Sequence, residues 1–350
     1  MTTPGGNAPD GAYVIGSRYG QDENEAGIRD RIRGPALGGF QDAQAANLAG
    51  ILREIFNTVN DDYIADLPII QDHSHTITEL VEAVNQLILQ GQSIVFDSNN
   101  TYYPSAGITS IDVILIGAGG GGGGSLFTNV NGWMSGGGGG GGGEVHTSIP
   151  SSLLPKTAGA FDPISIFVGA GGYGGPAADS GQGGGNTRLA EYLSAGGGDG
   201  GTYSSSPLTA LGGAGMIPGG NGSAGAYDRG DTVKIPSTLA GNSVSAYDLH
   251  GGGGGGGAGS TTALAGRPGG IGGISAGGNL GTPGGPGLAP NAIIAAGGGG
   301  GGGGGASSNG HGGAGGFPGG GGGGAGVPSG TGGHGGAGGN GRLWIIERFA

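Results

Sequence analysis

The only helical pattern of hydrophobic residues lies between residues 40 and 91. Two sets of four aliphatic residues there repeat at the a and d spacing of a heptad. They are Leu48, Leu52, Ile55 and Val59 in the first set, and Ile77, Leu80, Val84 and Leu87 in the second. The pattern predicts a short helical, coiled-coil stalk that self-associates through these residues. A homotrimer is expected because isoleucine appears at both core positions; an antiparallel helical hairpin within one chain is the alternative.

Alternating and β-branched hydrophobic patterns replace the heptads after residue 92. They predict β-strands at residues 93–96, 109–116, 144–149, 164–168 and 342–349. Strands from both ends of this region are expected to meet in one small sheet. Such a sheet would close residues 92–350 into a single domain.

The first 39 residues contain too few hydrophobic side chains for a core of their own. A short strand is predicted at 11–15 and a short helix at 23–33, before Gly34-Pro35. We interpret residues 1–39 as a docking arm that becomes ordered on a partner or on sister chains. The alternative is an N-terminus without fixed structure.

Glycine accounts for 100 of the 350 residues, in uninterrupted runs of up to nine. Collagen requires glycine strictly at every third residue, and that period is absent. A calcium-binding β-roll requires a recurring nonapeptide, which is also absent. A flexible linker is an open alternative, although linkers are not usually bracketed by strands. The favoured interpretation is a bundle of polyglycine II helices, extended helices of three residues per turn that hydrogen-bond to neighbouring segments.

The fold class predicted from these patterns is mixed. It combines the arm at 1–39, the helical stalk at 40–91, and a glycine-rich domain of β-strands and packed polyglycine II helices at 92–350.

Charge and cysteine content limit the kinds of partner and metal site that the chain can have. The formal net charge is -12, and clustered Lys/Arg, which nucleic-acid binding requires, is absent. The chain has no cysteine, so disulfides and thiolate metal sites are excluded. No signal-peptide pattern follows Met1 and no hydrophobic run is long enough for a transmembrane helix, so we expect synthesis in the cytoplasm and no membrane insertion.

Two junctions carry a resemblance to a known group of proteins. The strand at 111–116 runs directly into glycine, and Gly-Gly-Asn-Gly-Arg-Leu-Trp-Ile-Ile leads to the end of the chain. Both features, together with residues 11–21 and 34–40, resemble the glycine-rich minor tail proteins of phages that infect mycobacteria and related actinobacteria. The glycine runs also resemble the polyglycine II adhesin tips of T-even-type phage fibres. The resemblance implies a virion tail-tip location and neighbouring phage tail proteins as partners of the N-terminal region.

A histidine pair, His73 and His75, lies just before the second heptad set. Around a threefold axis, this pair would place six imidazoles near one another, enough for an octahedral metal shell. The resemblance to phage fibres implies iron, or another divalent metal, at such a site. The alternative is that Asp72 or Ser74 caps the following helix and that both histidines are solvated.

No arrangement of residues predicts catalysis, and we expect no enzymatic activity. Five aromatic residues between the glycine runs are instead candidates for receptor contact, because aromatic side chains on loops suit glycan and glycolipid surfaces. They are Phe127, Trp133, Tyr203, Tyr227 and Tyr247. The predicted function is a structural tail-tip or tail-fibre protein that contributes to host attachment. The alternatives are a purely architectural tail protein, a glycine-rich bacterial cell-surface protein and an ice-binding protein.

Overall fold

The computed structural model of the protein describes residues 93–128, 132–203, 208–230, 233–243, 250–260, 264–290, 295–305, 310–327 and 332–349. These residues contain strands and no α-helix. The predicted fold class, with its helical coiled-coil stalk, is therefore wrong for the described chain, which is built from antiparallel sheets and extended glycine segments. The physical reason is composition, because glycine and β-branched residues, which disfavour α-helices, dominate the described part. The arm at 1–39 and residues 40–91 lie outside the described residues.

Fourteen strands are present in the described residues. They are β1 Ser93–Phe96, β2 Asn100–Tyr102, β3 Ile108–Ile116, β4 Leu126–Thr128, β5 Gly132–Met134, β6 Glu144–Pro150, β7 Lys156–Thr157, β8 Ala160–Phe161, β9 Ile164–Phe167, β10 Thr187–Leu189, β11 Leu193–Ala195, β12 Tyr227–Asp228, β13 Lys234–Ile235 and β14 Arg342–Phe349. Three four-stranded sheets have the orders β1-β14-β3-β6, β11-β10-β9-β2 and β13-β12-β5-β4, and β7 pairs with β8.

The first two sheets enclose the main hydrophobic core. Alternate residues of β3 and β14 point to the same side, which places Val113 opposite Ile345 and Leu115 opposite Leu343 in the register of the pair. These side chains are fully buried and form one cluster with residues of the second sheet, including Ile166 and Leu189. The two ends of the chain region therefore meet in one sheet, as the hydrophobic pattern predicts.

Beyond the core sheets, the domain is a bundle of extended glycine-rich segments, and five of these segments form its centre. These central segments are residues 117–125, 136–143, 251–259, 297–305 and 319–327, and nearly all their residues are buried. In the first of them, three successive N–H groups donate to three different segments: Gly119 to Gly339, Gly120 to Gly140 and Gly121 to Gln182, at 2.8–2.9 Å. The next three N–H groups return to the same three segments in the same order. This period of three residues, without hydrogen bonds inside the segment, is the polyglycine II arrangement.

The carbonyl groups of the same segment extend the lattice to three more neighbours. The oxygens of Gly119, Gly120 and Gly121 accept from the N–H groups of Gly172, Gly322 and Gly201, respectively. Segment 117–125 therefore has six hydrogen-bonded neighbours. Nearly every backbone polar group in this segment is satisfied without a sheet, which removes the desolvation cost of burying it.

The central segments require glycine because their neighbours leave no room for a side chain. A Cβ added to Gly120 would lie 2.0 Å from the carbonyl oxygen of Asp199, and one on Gly139 would lie 2.2 Å from that of Gly120. Both neighbours are backbone atoms that no rotamer change can move. Segments at the bundle surface instead carry an exposed side chain at every third residue, as at Ala170, Tyr173 and Pro176 or at His334, Ala337 and Asn340.

Asparagine side chains replace the missing neighbour at several edges of the bundle. The Oδ1 atom of Asn340 accepts from Gly171 N–H at 2.8 Å, that of Asn186 from Gly197 at 2.9 Å, and that of Asn221 from Gly212 at 2.9 Å. Surface segments would otherwise expose these N–H groups. The Gly-Gly-Asn sequences therefore mark places where a side chain closes the lattice.

Candidate binding surface at the hairpin end

Two central segments, 117–125 and 136–143, each have one end at the core sheets. The β13-β12-β5-β4 sheet lies at their other ends. The segment 117–125 leaves β3 and enters β4, and the segment 136–143 follows β5 and returns to β6. The β4–β5 hairpin thus caps two central segments. We call this part of the domain the hairpin end.

The register of the four strands fixes two rows of side chains. Phe127 pairs with Trp133, Trp133 with Asp228, and Asp228 with Lys234. Directly paired residues share a face of a sheet, so these four side chains form one row, which we call the aromatic row. The adjacent row, Leu126, Met134, Tyr227 and Ile235, belongs to the opposite face.

The two rings of the aromatic row are in contact. The ring centroids of Phe127 and Trp133 are 4.8 Å apart and the ring planes are inclined by 36°. Both side chains are half-buried, so part of each ring faces solvent. Gly132 precedes Trp133 with a φ of +75°, and a Cβ there would lie 2.2 Å from the carbonyl oxygen of Asp228. Glycine is therefore needed at this position for both the backbone conformation and the approach of β12.

The charged half of the aromatic row is organised by the turn between β12 and β13. Asp228 is buried, at 3% exposure, and its Oδ1 atom accepts from Gly230 N–H at 2.8 Å. Gly230 has a φ of +80°, a conformation in which glycine carries no steric cost. Lys234 is exposed at the outer strand. The carboxylate thus fixes Gly230, just after β12, and Lys234 lies on the same face of the sheet as the two rings.

Comparison with known sequences identifies the family. Residues 95–347, from within β1 to within β14, match the family described as a glycine-rich domain. The chain belongs to this glycine-rich domain family. The match includes both core sheets, the central segments and the hairpin end. No protein of known, curated function matches the chain.

The other predicted receptor-contact residues of the glycine-rich domain lie elsewhere. Tyr227 is buried at 7% exposure, on the face opposite Phe127 and Trp133. Tyr203 forms a bridge with Gly136, and burial raises the pKa of its hydroxyl. Tyr247 lies outside the described residues. Sequence reasoning missed Asp228 and Lys234, because strands of two residues carry no recognisable alternation.

The predicted metal site and self-association residues fall outside the described part of the chain. This holds for His73 and His75 and for all eight heptad residues from Leu48 to Leu87. Among the residues that the structure does describe, no cluster of three or more His, Asp or Glu side chains is arranged to hold a metal ion. Searched over the same residues, no helix has the length and hydrophobicity to cross a membrane.

A histidine pair not singled out from the sequence lies on the side of the bundle. The rings of His311 and His334 are 5.4 Å apart, on neighbouring parallel segments. The backbone N–H of His334 donates to Nδ1 of His311 at 3.1 Å. This contact joins the two segments at the place where the rings lie together.

One buried carboxyl group gives the glycine-rich domain a pH-dependent element. Glu144 is fully buried where β6 follows a central segment, and Nδ1 of His146 lies 3.0 Å from its Oε1 atom. Burial raises the pKa of Glu144 to about 7, and the nearby His146 acts in the opposite direction. The folded protein therefore holds this proton more tightly than the unfolded chain does.

This pKa predicts that stability falls as pH rises. The contribution of Glu144 is fully present below its ordinary pKa of 4.5 and is lost as pH rises through about 7. Denaturant unfolding at several pH values should show this decline in wild-type protein, and Glu144→Gln should reduce it because the amide does not ionise. The exposed Glu191→Gln is the matched control and should leave the decline unchanged. An equal decline in wild-type and Glu144→Gln would contradict the assignment.

Proposed function

We propose that this glycine-rich domain protein is a structural component of a phage tail tip or tail fibre whose hairpin end contacts the host-cell surface. The observation that carries the proposal is the division of the domain into two different ends. One end is a core of paired sheets that contains β1, the first described strand. The other presents a small sheet with two partly exposed aromatic rings.

The bundle between the two ends supports this role physically. The hydrogen bonds of segment 117–125 reach six neighbouring segments, so bending it would break bonds in several directions at once. A rigid spacer holds a contact surface away from its attachment point at little conformational cost on binding. The resemblance to minor tail proteins and phage adhesins provides the biological setting, and the proposal involves binding and assembly without catalysis.

Binding of labelled protein to a panel of actinobacterial cells tests the proposal. We expect Phe127→Ser combined with Trp133→Ser to reduce the cell-bound fraction at least about tenfold, as for loss of central aromatic anchors. Tyr173→Ser is the matched control, because Tyr173 is an aromatic residue 74% exposed on the side of the bundle. Its replacement should leave binding unchanged. Equal binding by wild-type protein and the double variant would contradict host contact through the hairpin end.

A further inference from the structure

We propose that the aromatic row is a carbohydrate-binding site that holds one pyranose ring against Trp133 and Phe127. The inference rests on the proposed function, since it names the chemical class that the hairpin end would contact. A pyranose has an apolar C–H face and a rim of hydroxyl groups. A site for it therefore needs an apolar surface with a hydrogen-bonding group at one side.

The two rings supply the apolar surface, with their planes inclined to each other by 36°. They are fixed in mutual contact at 4.8 Å, on adjacent strands of one sheet, and both are partly exposed. An aromatic surface fixed before binding loses little conformational entropy when a ligand stacks on it. The opposite face of the sheet does not offer the same surface, because Tyr227 and Met134 there are buried.

Lys234 supplies the hydrogen-bonding group. It shares the face with the rings and is two strands away from Trp133, roughly 10 Å by the usual strand spacing. A lysine side chain is long enough to reach back over the intervening strand, and its ammonium donates three hydrogen bonds to hydroxyl or ring oxygens. Asp228 is a positioning residue, because it is buried and holds the turn before Lys234 through Gly230.

The mixed character of the aromatic row favours a sugar over a purely apolar partner. A hydrophobic peptide or lipid chain could cover the rings but would make no use of the hydrogen-bond donor that Lys234 offers on the same face. A hydroxylated ring pairs with it while covering the aromatic surface. We therefore expect the site to take hexose or N-acetylhexosamine units.

The chain provides its own reporter for this binding. It has two tryptophans, and Trp344 is buried at 4% exposure in the core sheets, far from solvent. A ligand at the aromatic row should change the fluorescence of Trp133 alone. Trp344→Phe should therefore keep the full ligand-induced change, and this variant identifies the responding residue.

The experiment is a fluorescence titration of the full chain with oligosaccharides of glucose, galactose and N-acetylglucosamine at up to millimolar concentrations. We expect a saturable change with at least one series. Phe127→Ala should weaken the apparent affinity about tenfold and Lys234→Gln severalfold. Tyr173→Ala should have no effect. Because Lys234 is exposed, Lys234→Gln tests the site without affecting folding, and the thermal midpoint of Phe127→Ala should be checked against wild type.

The outcomes separate this inference from the proposed function. No saturable change with any series, or an unchanged affinity in both Phe127→Ala and Lys234→Gln, would overturn the carbohydrate site. If the Phe127/Trp133 double variant still lost cell binding in that case, host contact would stand and the receptor would be something other than these sugars. Sugar binding by a protein that attaches to no cell would support the site and contradict host attachment.

Discussion

Gly139→Ala is expected to destabilise the domain by about 3 kcal/mol or more, at or above the upper end of the usual range for substitutions that overpack a rigid interior. Gly139 lies in a central segment and its N–H donates to Gly322 at 2.8 Å. The added Cβ would lie 2.2 Å from the carbonyl oxygen of Gly120 and 2.5 Å from its carbonyl carbon. Relief requires two segments to separate, and separation breaks hydrogen bonds along both. The denaturant midpoint and the free energy of unfolding provide the measurement.

Gly183→Ala is the matched control for this prediction. Gly183 belongs to a surface segment and is exposed. A Cβ added there would come no closer than 3.6 Å to another part of the chain, at the carbonyl oxygen of Gly198. The same chemical change should alter stability by no more than about 0.5 kcal/mol, since surface substitutions are usually neutral at this level. Equal effects of the two substitutions would show that glycine content, and not close packing of segments, governs stability.

Glu347→Ala is expected to cost about 3 kcal/mol, the range for breaking a buried charged hydrogen-bond network. Glu347 is 6% exposed on the core face of β14, and its Oε1 atom accepts from the Tyr102 hydroxyl at 2.7 Å and from Ser105 N–H at 2.8 Å. The Tyr102 hydroxyl would lose this partner inside the core, whereas the N–H of exposed Ser105 would turn to solvent. Glu347→Gln keeps an acceptor oxygen and should cost less. Exposed Glu191→Ala should cost almost nothing.

The pKa of Glu347 provides a second test of its hydrogen bonds with Tyr102 and Ser105. Burial acts to raise the pKa of the carboxyl, but the hydrogen bonds from Ser105 and Tyr102 outweigh it and hold the pKa below its usual value. The stabilisation is therefore present above the ordinary pKa of 4.5 and is lost as pH falls through the lowered value. Tyr102→Phe removes one of these bonds and should reduce the acid-dependent loss. An unchanged acid profile in Tyr102→Phe would contradict the network.

Long strands could be predicted from the sequence because they carry strong hydrophobic alternation. The predicted strands 109–116 and 342–349 correspond to β3 and β14, which pair with each other across more than 200 residues of intervening chain. Strands of two or three residues, such as β10 and β12, have no such pattern and were not predicted. The predicted helical stalk was wrong for the described chain. The heptads that suggested it end before the first described strand.

The sequence indicates which glycine segments are interior and which lie at the surface, but it does not indicate which segments are neighbours. Uninterrupted glycine indicates an interior segment, because only glycine permits backbone contact on all sides. A side chain at every third residue indicates a surface segment. Glycine offers no side-chain pattern that would tell which segments are neighbours. The same limit applies to the aromatic row, since the pairing of Trp133 with Asp228 depends on a register that short strands do not reveal.

Hydrogen exchange followed by NMR on protein labelled with ¹⁵N-glycine tests the central claim most directly. If the central segments form a hydrogen-bonded lattice, their amides should exchange as slowly as those of β3 and β14, by global unfolding. The exposed Gly183, whose segment lies at the surface, should exchange faster. Glycine amides of segments 119–124 and 297–304 that exchanged at the rate of a free peptide, while β3 stayed protected, would contradict the polyglycine II bundle.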